Sequence, residues 1–182
     1  TAEAKGFASD NCTRLPDMSI MAAVQMVSGP KVAENLAVAA ELLAQAAAGG
    51  ARLAVLPENF AVMGQRETDP LAVREREDEG PLQTFLSAQA ACHRLWLVGG
   101  TIPLVVPDDE RRARASCLVF DDRGRRVARY DKVHLFDVRV VGSAERYAES
   151  DTIAPGDCYV VVDTPLGRLG LAVCYDLRFP EQ

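Results

Sequence analysis

The sequence predicts one α/β domain in which a mixed β-sheet is covered by helices. Three observations support this prediction: an apolar strand–helix–strand pattern opens the chain, strand pairs joined by turn residues follow it, and a length of 182 residues suits a single domain. No repeat, linker or low-complexity segment divides the chain. An apolar content of 48% is sufficient for one ordinary core.

The first part of the chain has the pattern of a parallel crossover unit. Residues 19–26 form a short apolar run with the length of a buried strand. Apolar side chains then recur at helical spacing over residues 32–47, and Gly49 and Gly50 end this helix because glycine accepts a left-handed cap without steric cost. Residues 53–56 form a second apolar strand. Two strands joined by a helix usually lie parallel.

The middle of the chain combines a second helix with a further strand. Residues 61–80 are polar and irregular, and a Gly-Pro pair then introduces a helix that extends to about His93. Residues 95–102 have the composition of a strand. We expect the polar stretch at 103–112 to be a loop.

Two hairpins follow in the second half of the chain. Turn residues at 121–124 and at 165–167 each separate two runs with strand composition. The four predicted strands are residues 115–120, 125–130, 160–163 and 169–173. Residues 135–157 are expected to form a long loop, and loops of this length are usually functional or disordered.

Composition argues against several classes of function. The formal charge is −6, and acidic and basic residues are interleaved rather than gathered into a basic stripe, so we expect no binding to nucleic acid. No apolar run approaches the ~18 residues of a membrane span, so we expect no membrane association. Residues 1–17 lack the apolar core of a signal peptide, which predicts a cytoplasmic location.

The five cysteines do not form a metal or disulfide pattern. They are scattered, include no CxxC pair, and are accompanied by only two histidines, so we expect free thiols and no metal site. Cys174 differs because a predicted strand runs directly into it and a helix is expected to begin after it. Such a cysteine is a candidate nucleophile, since a helix N-terminus or a nearby cation lowers the pKa of a thiol. A buried structural role is the alternative for Cys174, and it is what we expect for Cys12, Cys92, Cys117 and Cys158.

Two further charged residues lie at predicted strand ends, where α/β folds usually bind ligands. Glu58 follows a buried strand, and its charge needs a partner there unless the side chain simply leaves the core into solvent. Lys132 follows another strand, although a lysine alone indicates little. Nearby His134 is more simply explained as a hydrogen-bonding anchor for the loop than as a base or a metal ligand.

Taken together, these segments resemble the nitrilase, or carbon–nitrogen hydrolase, superfamily. The resemblance rests on four segments in family order, residues 23–26 (AVQM), 56–60 (LPENF), 131–137 (DKVHLFD) and 170–181 (GLAVCYDLRFPE). It implies an αββα four-layer sandwich with mixed β-sheets. It also implies a carbon–nitrogen hydrolase domain at residues 18–182 that is incomplete at its C-terminus, preceded by a tail at residues 1–17. We therefore expect residues 1–182 alone to be inactive or poorly soluble.

The resemblance also implies an enzyme and assigns roles to its residues. Glu58, Lys132 and Cys174 match the catalytic triad, and the backbone N–H of Tyr175 matches a donor to the oxyanion. Glu149 matches an accessory carboxylate. The family uses no metal or organic cofactor, and its members form dimers or larger homo-oligomers.

Within the superfamily, the sequence is most similar to the Nit amidase branch. This similarity implies hydrolysis of a small linear amide that bears a carboxylate, such as deaminated glutathione or the ω-amide of a keto acid, through a cysteine thioester. Arg178 is a candidate for binding that carboxylate, or it braces the turn through Asp176 or Glu181. An N-carbamoyl amino acid hydrolase, a nitrilase with the same triad, and a non-catalytic binding module are the alternatives. Leu177 replaces one of the two arginines that carbamoylases often carry there.

Overall fold

A computed structural model of the chain describes residues 19–139, 141–142 and 145–182. The predicted tail at residues 1–17, with Cys12, lies outside this range. The described residues form a six-stranded mixed sheet, two α-helices and two small two-stranded sheets. The prediction of an α/β fold with a mixed sheet is therefore confirmed.

The main sheet combines parallel and antiparallel neighbours. Its strands are β1 (Ile20–Ala23), β2 (Ala51–Val55), β3 (Trp96–Val98), β4 (Ile102–Val106), β5 (Asp109–Phe120) and β6 (Arg126–Asp131). β1, β2 and β3 are parallel, as the predicted crossover unit requires. β3 and β4 pair antiparallel with successive parts of β5, and β6 pairs antiparallel with its other edge. β6 therefore runs in the same direction as β2, so the carboxyl ends of these two strands lie at the same end of the sheet.

Two helices cover one face of the main sheet. They are α1 (Val32–Ala48) and α2 (Pro81–His93), close to the predicted bounds. Fully buried leucines such as Leu43, Leu86 and Leu118 fill the space between the helices and the sheet. Each such side chain contributes about 1.5–3 kcal/mol through burial, which makes this layer the main apolar core.

A hairpin covers part of the opposite face of the sheet. It consists of β9 (Val161–Thr164) and β10 (Gly167–Gly170). The predicted last strand extends further than β10. Leu171 still donates its N–H to the carbonyl of Val160, and the chain then leaves the ladder. The side chains of Leu171 and Val173 nevertheless stay buried against residues of β2, β5 and β6. This buried segment carries the chain to Cys174.

The prediction of a loop at residues 103–112 is wrong. β4 and β5 pair through this segment, with Leu104 opposite Arg114 and Val105 opposite Ala113. Ala113 is fully buried, whereas the charged residues on either side of it are partly exposed. The high charge of the segment concealed the two-residue period that marks a strand.

Short elements occupy the predicted long loop at residues 135–157. β7 (Asp137–Arg139) pairs with β8 (Arg146–Ala148), and a short 3-10 helix follows at Glu149–Asp151. The helix predicted after the cysteine is the 3-10 helix Cys174–Arg178 rather than the start of an α-helix.

Candidate active site

Three side chains predicted from the sequence meet at the carboxyl end of the main sheet. Glu58 lies shortly after β2, and Lys132 directly follows β6. Lys132 Nζ lies 2.9 Å from Glu58 Oε1. Cys174 lines the same cavity as these two residues. The shared direction of β2 and β6 explains why side chains so distant in sequence lie together.

Close backbone packing positions Glu58. Gly100 has a φ of +55°, and a Cβ at this position would lie 2.0 Å from the carbonyl oxygen of Pro57. Glycine is therefore required where the β3–β4 connection approaches the segment that carries Glu58. On the other side, the N–H of Asn59 donates to Thr101 Oγ1 at 2.8 Å.

Lys132 is a buried cation that contacts two carboxylates. Its side chain is 2% exposed, and its Nζ lies 2.8 and 3.0 Å from the two carboxylate oxygens of Glu149 as well as close to Glu58. Its backbone N–H donates to the carbonyl of Ala115, and its own carbonyl accepts from Gly156. Burial alone would lower the pKa of Lys132, but the hydrogen bonds and charges of the two glutamates outweigh it and hold the pKa above its usual value. The ammonium group is therefore charged at neutral pH.

Glu149 reaches the site from the 3-10 helix that follows β8. Its Oε2 also accepts a hydrogen bond from the N–H of Phe136 at 2.7 Å, which fixes the carboxylate in place. We call Glu58, Lys132 and Glu149 the Lys132 cluster. Two carboxylates on one ammonium group leave this cluster with excess negative charge.

Cys174 occupies a strained turn at the edge of the cavity. Its φ of 50° lies in the left-handed region, which costs a non-glycine residue on the order of 1–2 kcal/mol. Loss of solvent around the sulfur, together with the charge of Glu58 and a hydrogen bond to it, raises the pKa of Cys174. Lys132 opposes this shift without reversing it. The nearby cation therefore does not bring the pKa of this thiol below its usual value, and at neutral pH the thiol needs a base to remove its proton.

A second polar cluster holds the turn that carries Cys174. Asp176, which is 1% exposed, accepts hydrogen bonds at Oδ2 from Tyr130 Oη (2.6 Å) and the N–H of Val173 (2.8 Å). Its Oδ1 accepts from the N–H of His134 at 2.9 Å and lies 2.9 Å from Nδ1 of the same histidine. We call Asp176, Tyr130, His134 and Val173 the Asp176 cluster. One carboxylate thus joins the turn at Cys174 to the segment that directly follows Lys132.

The Asp176 cluster is the part of the site that sequence reasoning missed. The sequence indicates Asp176 only as a partner for Arg178, yet the side chain of Arg178 is exposed and makes no hydrogen bond or ion pair with the described residues. An acidic residue in the first turn after a strand is a capping signal, and this signal would have pointed to Asp176. His134 does anchor its loop by hydrogen bonds, as expected. The ring of Tyr175 packs edge-on against Phe136, and the role of its backbone N–H stays a prediction.

The other described cysteines lie outside the cavity. Cys117 is buried, as expected for a structural cysteine, and burial raises its pKa to about 12. Cys92 and Cys158 are exposed, so the expectation that they are buried is wrong. The four cysteines in the described part of the chain are free thiols.

The cavity at Cys174 is large enough for a small organic substrate. Its volume is about 410 Å³, and the Lys132 cluster forms part of its wall. Apolar parts of the wall come from Met63, Ile102, Phe136 and Ile153. Within the described ranges, no group of three or more His, Cys, Asp or Glu side chains is arranged to hold a metal ion, and no helix has the length and apolarity to cross a membrane.

Comparison with known proteins defines the class of protein. Residues 20–182 match the model of the carbon–nitrogen hydrolase family, and the chain belongs to this family. The structure is similar to Nit3 of Saccharomyces cerevisiae, a member of the nitrilase superfamily, with a TM-score of 0.71 and 31% identity over 85% of this chain and 54% of that chain. The predicted nitrilase-type fold is confirmed. Of this fold, the described residues form one helical layer, the main sheet, and a two-stranded hairpin on the opposite face of that sheet.

Two amidases are among the similar proteins. Deaminated glutathione amidase of Yersinia enterocolitica is 38% identical over 160 residues, which are 88% of this chain and 55% of that protein. Omega-amidase NIT2-B of Xenopus laevis is 35% identical over 159 residues, which are 87% of this chain and 55% of that protein. The chain therefore spans about half the length of these curated relatives.

Proposed function

We propose that this chain carries the reactive residues of a cysteine-dependent hydrolase that cleaves small linear amides. One observation carries the proposal: Lys132 Nζ contacts both Glu58 and Glu149 in the cavity that Cys174 also lines. A nucleophile, a carboxylate base and a fixed cation are the three groups that amide hydrolysis needs. Membership of the carbon–nitrogen hydrolase family supports the same reaction.

In the first step, Glu58 takes the proton of Cys174 while the sulfur attacks the carbonyl carbon of the amide. A base is needed because the raised pKa of the thiol leaves little thiolate at neutral pH. A positioned general base typically accelerates such a step by about 10²–10⁴-fold.

The attack moves charge onto the carbonyl oxygen, and the ammonium group of Lys132 and the backbone N–H of Tyr175 stabilise it. The loss of one such donor typically costs about 3 kcal/mol. Glu58 then gives its proton to the leaving nitrogen, the carbon–nitrogen bond breaks, and ammonia or an amine departs. The acyl group remains on Cys174 as a thioester.

Hydrolysis of the thioester completes the cycle. Glu58 takes a proton from water, the resulting hydroxide attacks the thioester carbonyl, and the proton returns to the sulfur as the carboxylic acid leaves. Glu149 acts as the accessory carboxylate that holds Lys132 in position through both of its oxygens.

For the substrate we propose a small amide that also bears a carboxylate. The names of the two amidase relatives support this class, since one is a deaminated glutathione amidase and the other an omega-amidase. The sequence-based assignment of the substrate carboxylate to Arg178 stays a prediction. A cytoplasmic location and a homo-oligomeric state are further proposals that follow from the family resemblance.

Release of the nitrogen product by the whole protein that contains this chain tests the proposal, measured as ammonia or, for deaminated glutathione, as cysteinylglycine. The panel consists of α-ketoglutaramate, deaminated glutathione, an N-carbamoyl amino acid and a simple nitrile. We expect release from one of the first two, and its loss in the Cys174→Ala variant. Preference for the third or fourth compound would instead identify a carbamoylase or a nitrilase, and failure of a folded protein with all four would favour a non-catalytic binding module.

A further inference from the structure

The charge of the cavity limits where an anionic substrate can bind. Among the described residues that line it, three are carboxylates (Glu58, Glu67 and Glu149) and two are cations (Lys132 and Arg66). The ammonium group of Lys132 already contacts two of the three carboxylates. A substrate carboxylate is attracted to a cation, and Arg66 is the cation of this wall that pairs with a single carboxylate, that of Asp69.

The guanidinium group of Arg66 has hydrogen-bond donors available for a ligand. Its Nε donates to Asp69 Oδ1 at 2.9 Å, whereas its two terminal nitrogens have no partner among the described residues. A guanidinium group with a free terminal edge matches a carboxylate through two parallel hydrogen bonds. The side chain of Arg66 is 81% exposed, so an incoming ligand can reach this edge.

The segment that carries Arg66 is folded around Asp69. Asp69 Oδ2 accepts hydrogen bonds from the N–H groups of Gln65 and Arg66, at 2.9 and 3.1 Å. Gly64 lies against the same side chain so closely that a Cβ on it would be 2.3 Å from Asp69 Cβ. One carboxylate therefore orders both the backbone and the guanidinium group of Arg66, which reduces the entropy lost when a ligand binds.

We propose that Arg66, held by Asp69, is the subsite that binds the carboxylate of the amide substrate. This inference rests on the proposed amidase function and names the residue that selects its substrate class. Arg178 is the rival. It lines a separate opening beside Cys174 with Phe136, Tyr175 and Leu177, and no side chain of the described chain orders it.

Binding to an inactive protein tests the subsite without turnover. Succinamate is titrated calorimetrically into the whole protein with Cys174→Ala, alone and combined with Arg66→Gln, Arg178→Gln or Glu67→Gln, after circular dichroism has shown that each variant is folded. Because hydrogen bonds to charged groups are strong, Arg66→Gln is expected to weaken binding at least about tenfold. Arg178→Gln should change it less than about twofold, and Glu67→Gln should strengthen it by removing a like charge. Unchanged affinity in the Arg66 variant, a loss that follows Arg178, or no binding by the folded Cys174→Ala protein would each overturn the proposal.

Turnover distinguishes failure of the subsite from failure of the proposed function. We compare kcat/KM for succinamate with kcat/KM for butyramide, in which a methyl group replaces the carboxylate. The ratio of the two values is measured in the wild-type protein and in the Arg66→Gln variant. We expect this ratio to fall at least about tenfold, mainly through the KM of succinamate. Ammonia release with an unchanged ratio would remove the subsite and keep the amidase. Binding of succinamate that depends on Arg66, without release of ammonia, would keep the subsite and remove the amidase.

Discussion

The Lys132 cluster and the Asp176 cluster lie side by side at the end of β6, yet they differ in charge balance and in exposure. In the first, a buried ammonium group lies between two carboxylates whose side chains are 27% and 20% exposed. In the second, a single carboxylate that is 1% exposed accepts from a phenol and two backbone N–H groups and contacts an imidazole. The first cluster opens into the cavity, and the second is enclosed by protein.

Under the proposed mechanism, the first cluster contains the side chain that transfers protons, Glu58, and the second contains the side chain that fixes the backbone, Asp176. In the proposed mechanism Glu58, which lines the cavity together with Cys174, transfers the proton of the thiol. In the Asp176 cluster, burial alone would raise the pKa of Asp176, but its hydrogen bonds with Tyr130, Val173 and His134 outweigh burial and hold the pKa below its usual value. Asp176 therefore stays ionised at neutral pH and accepts these hydrogen bonds as a carboxylate.

Removal of the cation should have the largest effect. In Lys132→Met, Glu58 and Glu149 face each other without a counter-charge, and removal of one partner from a buried ion pair costs about 3–5 kcal/mol. We expect loss of nearly all ammonia release, at least about 10³-fold, and a lower midpoint in denaturant unfolding. Lys31→Met, which removes an exposed lysine paired only with Glu34, is the matched control and should leave both measurements near wild type. Wild-type turnover in Lys132→Met would contradict the assigned role.

Neutralisation of Asp176 should have the next largest effect and should depend on pH. Asp176→Asn puts an amide NH₂ group, itself a donor, where a carboxylate oxygen accepts hydrogen bonds. We expect this change to cost about 3 kcal/mol of unfolding free energy and to lower kcat more than it changes KM. Because the folded-state pKa is lowered, the stabilisation by Asp176 is present above its unfolded pKa, near 3.8, and is lost as the pH falls through the folded value. Wild type and variant should therefore differ most near neutral pH and converge in acid. A gap in unfolding free energy that stays constant down to low pH would show that Asp176 stabilises the turn by packing rather than as an anion.

The thiol should respond in opposite directions to its two charged neighbours. Glu58 raises the pKa of Cys174 and Lys132 lowers it, so Glu58→Gln should shift the pH profile of alkylation to lower pH and Lys132→Met should shift it to higher pH. At pH 7 we expect Glu58→Gln to be alkylated several-fold faster than wild type. Iodoacetamide labelling resolved by peptide mass spectrometry measures this, with exposed Cys158 as the internal reference. Shifts in the same direction in both variants would contradict the electrostatic account.

The smallest effect is expected from the phenol of the Asp176 cluster. Tyr130→Phe removes one donor to Asp176 and the acceptor of two longer hydrogen bonds, from the N–H of Val133 and from Gln182 Nε2. The other contacts of Asp176 remain, so we expect a loss of about 1–2 kcal/mol in unfolding free energy. Turnover should fall only a few-fold, because Val173 and His134 still hold the carboxylate. A loss as large as that of Asp176→Asn would show that Tyr130, rather than the carboxylate, determines the position of the turn.

The two clusters also differ in how far the sequence predicts them. Glu58 and Lys132 follow predicted strands, and α/β folds usually bind ligands at strand ends, so the pattern marks both as candidates. Their meeting was predicted from the family resemblance. The Asp176 cluster depends on contacts between residues 42 and 46 positions apart, which no local period encodes. The same limit applies to Glu149, which only the family resemblance assigned.

The sequence-based predictions fail where two opposing physical effects act on the same segment and only the tertiary structure shows which one is larger. The charged strand pair β4–β5 looked like a loop because its backbone pairing outweighs the polarity of its side chains. The sequence indicates the cation near Cys174, whereas the opposing effect of Glu58 on the pKa of the thiol is visible only in the tertiary structure. The fold was predicted more fully than the site because apolar periodicity is local, whereas electrostatic balance is set by the tertiary structure.

Capture of the acyl-enzyme tests the central claim most directly. The whole protein is mixed with succinamate, stopped in acid within the first turnovers, and examined by intact and peptide mass spectrometry. The account predicts one succinyl group on the peptide that contains Cys174, ammonia released in the same amount as this adduct, and neither product in Cys174→Ala. Undiminished ammonia release by the Cys174→Ala protein, or turnover by wild type with the acyl group on a different residue, would contradict it.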